Sequence, residues 1–519
     1  MNKNFRFLLI GLNILISFSS KSAHSETLDF PPEHCSETWR TFDPQEYTYQ
    51  SDLDHQYASY LMRMTEKQLI RNQCHKTWTI LVYMVAPEDL MNYALADIQE
   101  MEDQVKELEL RSDVIVQLDT IENQMSRRLH IFSHPHDRTS PITEAEANKL
   151  TLADLKSPFI SETKQSLVTT QTRRFRDFLR WAMQEYPSEY YMVVIWGHGQ
   201  GWTSIQVGAN FGGLARAESL SYLDIPSLRK VLNEVNSWRG SPIEVFASDA
   251  CLMESVEDAV ELSGGADYVC GSEDIESYAG FPYGALISHL KTGSFDGASQ
   301  KIKKGRFGYD EPYQVAWMIP QLYKESFEKK TGSQSSLDPG AMYHLTGCTV
   351  SSKGITSSLA PSLNDLGHRL KDLIMTYPQF KDSLLYLIQH SPSFEGDTQD
   401  LGLFLKFLAE WTQGQQNTTE RNLKIKFDQI QKSIIKTCNA LKYSVVSVAL
   451  GKDYSQYAST LGCAPMGLSI WLPQSMEEFN SRRADFSESI FYKTSTSTET
   501  EPGWRSWMEV LYATEKTKN

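Results

Sequence analysis

A chain of 519 residues, 40% hydrophobic and 22% charged, has room for two or three domains or one enlarged α/β unit, and this composition excludes a disordered or fibrous protein. The formal net charge of -15 repels nucleic acid and anionic membrane surfaces and attracts basic peptides. In an exported chain, seven cysteines allow three disulfides and one leftover thiol.

Residues 1–25 read as a secretory signal peptide: Met1 to Arg6 is basic, Phe7 to Phe18 is apolar, and Ala23 and Ser25 put small residues before a cut. The apolar run is shorter than the ~20 residues of a membrane helix, and no later stretch is long enough to cross a bilayer. A secreted or periplasmic protein is expected. Removing the segment takes Lys3, Arg6 and Lys21 and no acid, so -15 becomes -18. Residues 26–76 are polar and aromatic, with Pro31-Pro32 and a short helix near Tyr57 to Ile70, and read as an N-terminal extension or pro-segment.

From Trp78 the chain alternates strand and helix. A strand over Thr79 to Val85 precedes a helix with Met91, Leu95, Ile98, Met101 and Val105 at helical spacing; strands at Val114 to Leu118 and Leu129 to Phe132 follow. Residues 134–168, broken by Pro135, Pro141 and Pro158, read as loop. A helix over Thr172 to Tyr186 stops at Pro187 and feeds the apolar run Tyr190 to Trp196. A Gly-rich excursion over Gly208 to Ala217 comes next, then a helix capped by Asp224 with Pro226 in its first turn. The run Ile243 to Ala247 is the next strand, Glu254 to Leu262 a helix and Tyr268 to Ser272 a strand. Beyond residue 300 the periodicity is chiefly helical, at Leu363 to Met375, Ser383 to His390, Leu401 to Trp411 and Ile425 to Leu441, with strands at Tyr443 to Leu450 and Gly467 to Leu472. The predicted class is α/β, a mostly parallel sheet flanked by helices, with a core over 77–300 and a helix-rich C-terminal α+β region over 301–519.

Two strands deliver chemistry. Tyr190 to Trp196 runs into Gly197-His198-Gly199, and Ile243 to Ala247 runs into Asp249-Ala250-Cys251. Parallel strands buried on both faces read as continuous apolar runs, and sites in such sheets gather beyond the strands' carboxyl ends. A base and a thiol therefore emerge together, which suits a Cys-His nucleophilic pair. Each residue also has a plain structural reading, as a strand-end histidine or a buried thiol at the base of a helix. The glycines flanking His198 weigh against the first, and the expected helix N-terminus after Cys251 would lower a thiol pKa and offer free N–H groups. Gly197-x-Gly199-x-Gly201 lacks the dinucleotide spacing and a following Lys-Ser/Thr, so nucleotide binding is not expected. Trp196 and Trp202 read as loop packing.

The blocks Val194 to Trp202 and Ser248 to Met253 resemble the two signature blocks of the clostripain family of cysteine peptidases, in the caspase-like clan. Trp78 to Met84, Tyr268 to Glu273 with Gly280 to Tyr283, and Gly467 to Pro473 are similar to further blocks of that family, in the same order. The resemblance implies a caspase-like sheet and an endopeptidase acting through His198 and Cys251 by a thioester acyl-enzyme. It places an oxyanion hole at the backbone of Gly199 and Cys251, and a pocket for Arg or Lys at Asp249, whose plain reading is a turn or capping carboxylate. Glu273 and Asp274 are candidates for further charge at the pocket rim. The family also implies self-processing between His198 and Cys251, where Arg216-Ala217 lies in the least structured stretch. The partners implied are peptides or proteins bearing Arg or Lys. No cofactor or metal is needed for thiol chemistry, and the family's namesake makes calcium an expectation. Two positions depart from the pattern: Glu254 stands where glycine is usual, and residues 273–279 lack the customary Pro/Gly character. A secreted binding protein on a degenerate peptidase fold, and a hydrolase of another acyl substrate, are the alternative readings.

For the cysteines, Cys251 is the candidate free thiol, and Cys35 and Cys74 would close the N-terminal segment as a loop. Cys270, Cys348, Cys438 and Cys463 read equally as buried reduced thiols or as disulfide partners.

Overall fold

Among the described residues nine strands form one sheet, centred on long, uninterrupted apolar runs of the chain. The computed structural model describes residues 76–513 except several stretches, chiefly 105–111, 132–141, 166–169, 207–221, 293–310, 331–345, 458–462 and 494–501. The strands are β1 (Lys76–Ala86), β2 (Ser112–Thr120), β3 (Met125–His130), β4 (Phe159–Lys164), β5 (Ser188–Trp196), β6 (Ile243–Asp249), β7 (Ala266–Ser272), β8 (Thr346–Ser351) and β9 (Val445–Leu450), in the order β9-β8-β7-β6-β5-β1-β2-β3-β4. The five central strands β7-β6-β5-β1-β2 are mutually parallel, and antiparallel pairs close both edges.

Period-two alternation divides each central strand between two cores. On β1, Leu81, Tyr83 and Val85 join one hydrophobic cluster while Trp78, Ile80, Val82 and Met84 join the other; on β5, Tyr191, Val193 and Ile195 oppose Met192, Val194 and Trp196. Each such side chain, fully buried, contributes roughly 1.5–3 kcal/mol before conformational entropy is set against it. One layer holds α1 (Met91–Gln104), α5 (Tyr283–Thr292) and α6 (Glu311–Lys330). The other holds α2 (Gln171–Glu185), α3 (Ile225–Arg239), α4 (Val256–Leu262) and the C-terminal α7 (Ala360–Thr376), α8 (Phe380–His390), α9 (Leu401–Gly414), α10 (Arg421–Ser444) and α11 (Gly503–Leu511).

Three local results differ from the sequence reading. The stretch 134–168 contains β4, an edge strand whose residues Glu162, Thr163 and Lys164 are exposed and so carry no apolar run. The helix after Cys251 starts at Val256 with Ser255 as its cap, not at Glu254. The described residues beyond 300 supply β8 and β9 to the central sheet. The Asp224 cap holds as expected: its carboxylate accepts from the Ser227 N–H at 2.7 Å, with Pro226 in the first turn.

Candidate active site

The register of the two central strands sets the site. Trp196 at the end of β5 pairs with Asp249 at the end of β6, so His198 and Cys251 each stand two residues beyond the same rung. Gly197, at φ +151, lets the chain turn there while its N–H donates to the Asp249 carbonyl at 3.3 Å. His198 and Gly199 then pair with Gln206 and Ile205 in a small antiparallel sheet. Gly199 has no substitute: a Cβ at that position would lie 1.8 Å from the Cys251 carbonyl oxygen.

Cys251 lies in a tight turn, five residues ahead of α4, rather than at a helix N-terminus. Leu252 adopts φ +64, a left-handed conformation uncommon for a non-glycine residue, and donates its N–H to the Asp274 carbonyl at 3.1 Å. Its side chain packs with Phe394, Leu403 and Tyr454, so the C-terminal region walls one side of the cysteine.

The charges around these two residues are unequal. His198 Nε2 lies 2.9 Å from Asp89 Oδ2, with the imidazole one-third exposed and the carboxylate more so. The thiol of Cys251 accepts from the Glu276 N–H at 3.3 Å. Burial first, and the Glu276 carboxylate next, push the thiol up to about 12. The thiol is therefore not activated in this state, contrary to the effect a helix dipole would have.

Asp249 is 4% exposed and interacts with a second acid, Glu276. Both of its oxygens accept from the Phe281 N–H at 3.2 Å, and Oδ2 accepts from the Tyr283 hydroxyl at 2.7 Å. Gly280, at φ +51, brings backbone so close that a Cβ would sit 3.0 Å from both oxygens. The block Gly280 to Tyr283 is thus the wrapping around this carboxylate. The Glu276 carboxyl hydrogen-bonds that of Asp249. Burial, and after it Asp249, push the Glu276 carboxyl well up, while burial pushes Asp249 up to about 6 against the bonds it accepts. Glu276 Oε1 is buried without a hydrogen-bond partner.

The remaining predicted residues are scattered. Glu273, expected at the pocket rim, is fully buried beside Asp400, and burial with that neighbouring charge pushes its carboxyl well up. It follows the last residue of β7 and turns into the interior, which a rim assignment from sequence position overlooks. Asp274 is half-buried and turned to backbone, its Oδ1 accepting from the Ile275 N–H at 2.8 Å. Glu276, the acid that meets both Asp249 and Cys251, was missed; the signal available was its place in the loop between the Tyr268 to Glu273 and Gly280 to Tyr283 blocks. Arg216 and Ala217 lie outside the described residues, as do Cys35 and Cys74. Cys438 and Cys463 form a disulfide, and Cys251, Cys270 and Cys348 are free thiols. Trp196 donates from Nε1 to Asp97 at 2.8 Å, and Trp202 packs against Trp471. Among the described residues no group of three His, Cys, Asp or Glu side chains is placed to hold a metal, and no helix is long and apolar enough to cross a membrane.

A thiol and an imidazole stand just beyond the ends of adjacent parallel strands, with Asp249 and Glu276 beside the thiol, an arrangement compatible with a cysteine hydrolase on a mostly parallel sheet. The clostripain family model matches residues 82–507, and the chain belongs to that family of cysteine peptidases. Among solved structures, a secreted C11 cysteine protease from Bacteroides thetaiotaomicron bound to an irreversible peptide inhibitor is similar at 16% identity, with 80% of this chain and 98% of that one covered and a TM-score of 0.49. An inactive zymogen C11 protease from Parabacteroides distasonis is similar at 15% identity, with 80% and 97% covered and a TM-score of 0.49. A cysteine protease from B. fragilis covers 57% of this chain and 99% of its own at 16% identity and a TM-score of 0.31. No curated protein matches the chain.

Proposed function

We propose that the protein is a secreted cysteine endopeptidase that cuts after Arg or Lys, with Cys251 as nucleophile and His198 as acid and base. The thiol proton passes to the imidazole, sulfur attacks the scissile carbonyl, and the developing oxyanion is held by the backbone of Gly199 and Cys251. The imidazolium then gives its proton to the leaving amine, and water hydrolyses the thioester. Asp249 and Glu276 form the pocket for the basic side chain.

The observation that carries this reading is the pair of buried carboxylates beside the thiol. Burial drives both acids up, and Asp249 drives Glu276 up further, so the pair holds a proton that a guanidinium or ammonium replaces, and a guanidinium bonds both at once. A neutral side chain leaves the acids without a cationic partner. The natural targets are peptides or proteins with accessible Arg or Lys, in keeping with the acidic chain.

Maturation is proposed by self-cleavage between His198 and Cys251, at Arg216-Ala217. The experiment is expression of the chain beside Cys251→Ala with other proteases absent, followed by N-terminal sequencing. A fragment starting at Ala217 in the first and an intact chain in the second is expected. An intact chain that cuts Arg peptides, or a cut that persists in Cys251→Ala, overturns self-processing; an intact chain inactive after alkylation-free purification points to the binding-protein alternative.

A further inference from the structure

We propose that Asp89 is a positioning residue for His198, holding the imidazole through Nε2 so that Nδ1 is the nitrogen that serves Cys251 and the leaving amine. This rests on the Cys251–His198 reading. Asp89 comes from a third strand end: β1 stops at Ala86, its Met84 pairs with Trp196 of β5, and the next turn carries Asp89 to the histidine 109 residues away in sequence.

The turn is built to hold a carboxylate in place. The Leu90 N–H donates to the Pro87 carbonyl at 2.9 Å, Leu90 is buried, and its carbonyl accepts from Tyr93 and Ala94 as α1 begins. Pro87 restricts the turn further. The histidine has the opposite character: its backbone is fixed by pairing with Gln206, but its ring is one-third exposed and would turn freely about its side-chain bonds without a partner. Among the described residues Asp89 is the one group that hydrogen-bonds the ring.

A stability role does not account for the contact, because an ion pair this exposed contributes at most ~1 kcal/mol. Its effect grows when a substrate covers the site and water leaves, since the imidazolium formed on thiol deprotonation then faces a carboxylate in a lower dielectric. The proton bookkeeping closes. Nε2 keeps its hydrogen throughout, donated to Asp89; Nδ1 takes the thiol proton as the C–S bond forms, and releases it to nitrogen as the C–N bond breaks. Asp89 is never protonated and touches no substrate atom.

The test is steady-state cleavage of an Arg-containing peptide by Asp89→Ala, Asp89→Asn, His198→Ala and the double variant Asp89→Ala/His198→Ala. Asp89→Ala is expected to lower kcat by about 10- to 100-fold with KM changed less than about threefold. Asp89→Asn keeps an accepting oxygen without the charge and should fall between Ala and the parent. In the His198→Ala background, Asp89→Ala should change nothing further. Asp89→Ala with kcat within about twofold of the parent, while His198→Ala is inactive, overturns the inference alone. A further loss in the double variant marks a structural role and also overturns it. An active His198→Ala overturns the underlying reading instead.

Discussion

Replacing Glu276 by Gln should move two properties in opposite directions. Asp249 is a poorer choice for this test because it also secures the Gly280 to Tyr283 segment through Phe281 and Tyr283, whereas Glu276 Oε1 has no partner to lose. A charged hydrogen-bond partner in a confined pocket is worth ~1.5–3 kcal/mol, so kcat/KM for Arg and Lys peptides should fall by roughly 10- to 150-fold, with neutral peptides little changed. The thiol should respond the other way. Its pKa is pushed up to about 12 chiefly by burial and next by the Glu276 charge, and Glu276→Gln removes only the second cause. Alkylation of Cys251 by iodoacetamide, followed across pH, should therefore shift to lower pH in Glu276→Gln. In the parent, kcat/KM for Arg peptides should rise with pH through about 6, where Asp249 gives up its proton, because a cation binds the ionised pocket. Unchanged cleavage of Arg and Lys peptides in Glu276→Gln would mean that the acid has no part in recognising the basic side chain, and loss of both cleavage and alkylation would mean that the loop had collapsed.

Three further outcomes follow from the geometry. Gly199→Ala must displace the Cys251 carbonyl, since its Cβ would start 1.8 Å from that oxygen, and should cost ~1–3 kcal/mol in stability together with most activity; a fully active variant would mean that the two turns are not held together. Asp258 has its folded pKa pushed up to about 8 by burial and by Glu257 and Glu261, so its contribution is full below the unfolded value near 4 and is lost as pH rises through 8. Asp258→Asn should accordingly raise Tm by roughly 2–4 °C near pH 8.5 and by little near pH 5, measured calorimetrically; an equal shift at both would exclude the ionisation as cause. The Cys438–Cys463 bridge closes a separation of 25 residues, and Cys438→Ser with Cys463→Ser should destabilise by ~3 kcal/mol in urea unfolding, an unchanged midpoint being the contrary result.

Much of the fold is legible in the chain because the central strands are buried on both faces. Thr79 to Val85, Tyr190 to Trp196 and Ile243 to Ala247 read as apolar runs for that reason, and the helices between them show one clear stripe. What escaped lacks such a pattern. β4 has an exposed edge; β8, Thr-Gly-Cys-Thr-Val-Ser, looks like a loop although Thr346 to Val350 are buried; α6 carries Pro320 in its interior. The site divides likewise. His198, Gly199, Asp249 and Cys251 follow strands and could be placed by register, whereas Asp89 and Glu276 sit in loops whose direction depends on contacts 109 and 25 residues distant. The assumed helix at Cys251 failed because Ser255, not a residue beside the cysteine, makes the cap.

The most direct measurement is digestion of a mixed peptide library by the purified protein, beside Cys251→Ala and His198→Ala, with every new terminus identified by mass spectrometry. Cleavage confined to bonds following Arg or Lys, present in the parent and absent from both variants, is the result this account predicts. Cleavage after acidic or neutral residues by the parent, or undiminished cleavage by Cys251→Ala, would contradict it.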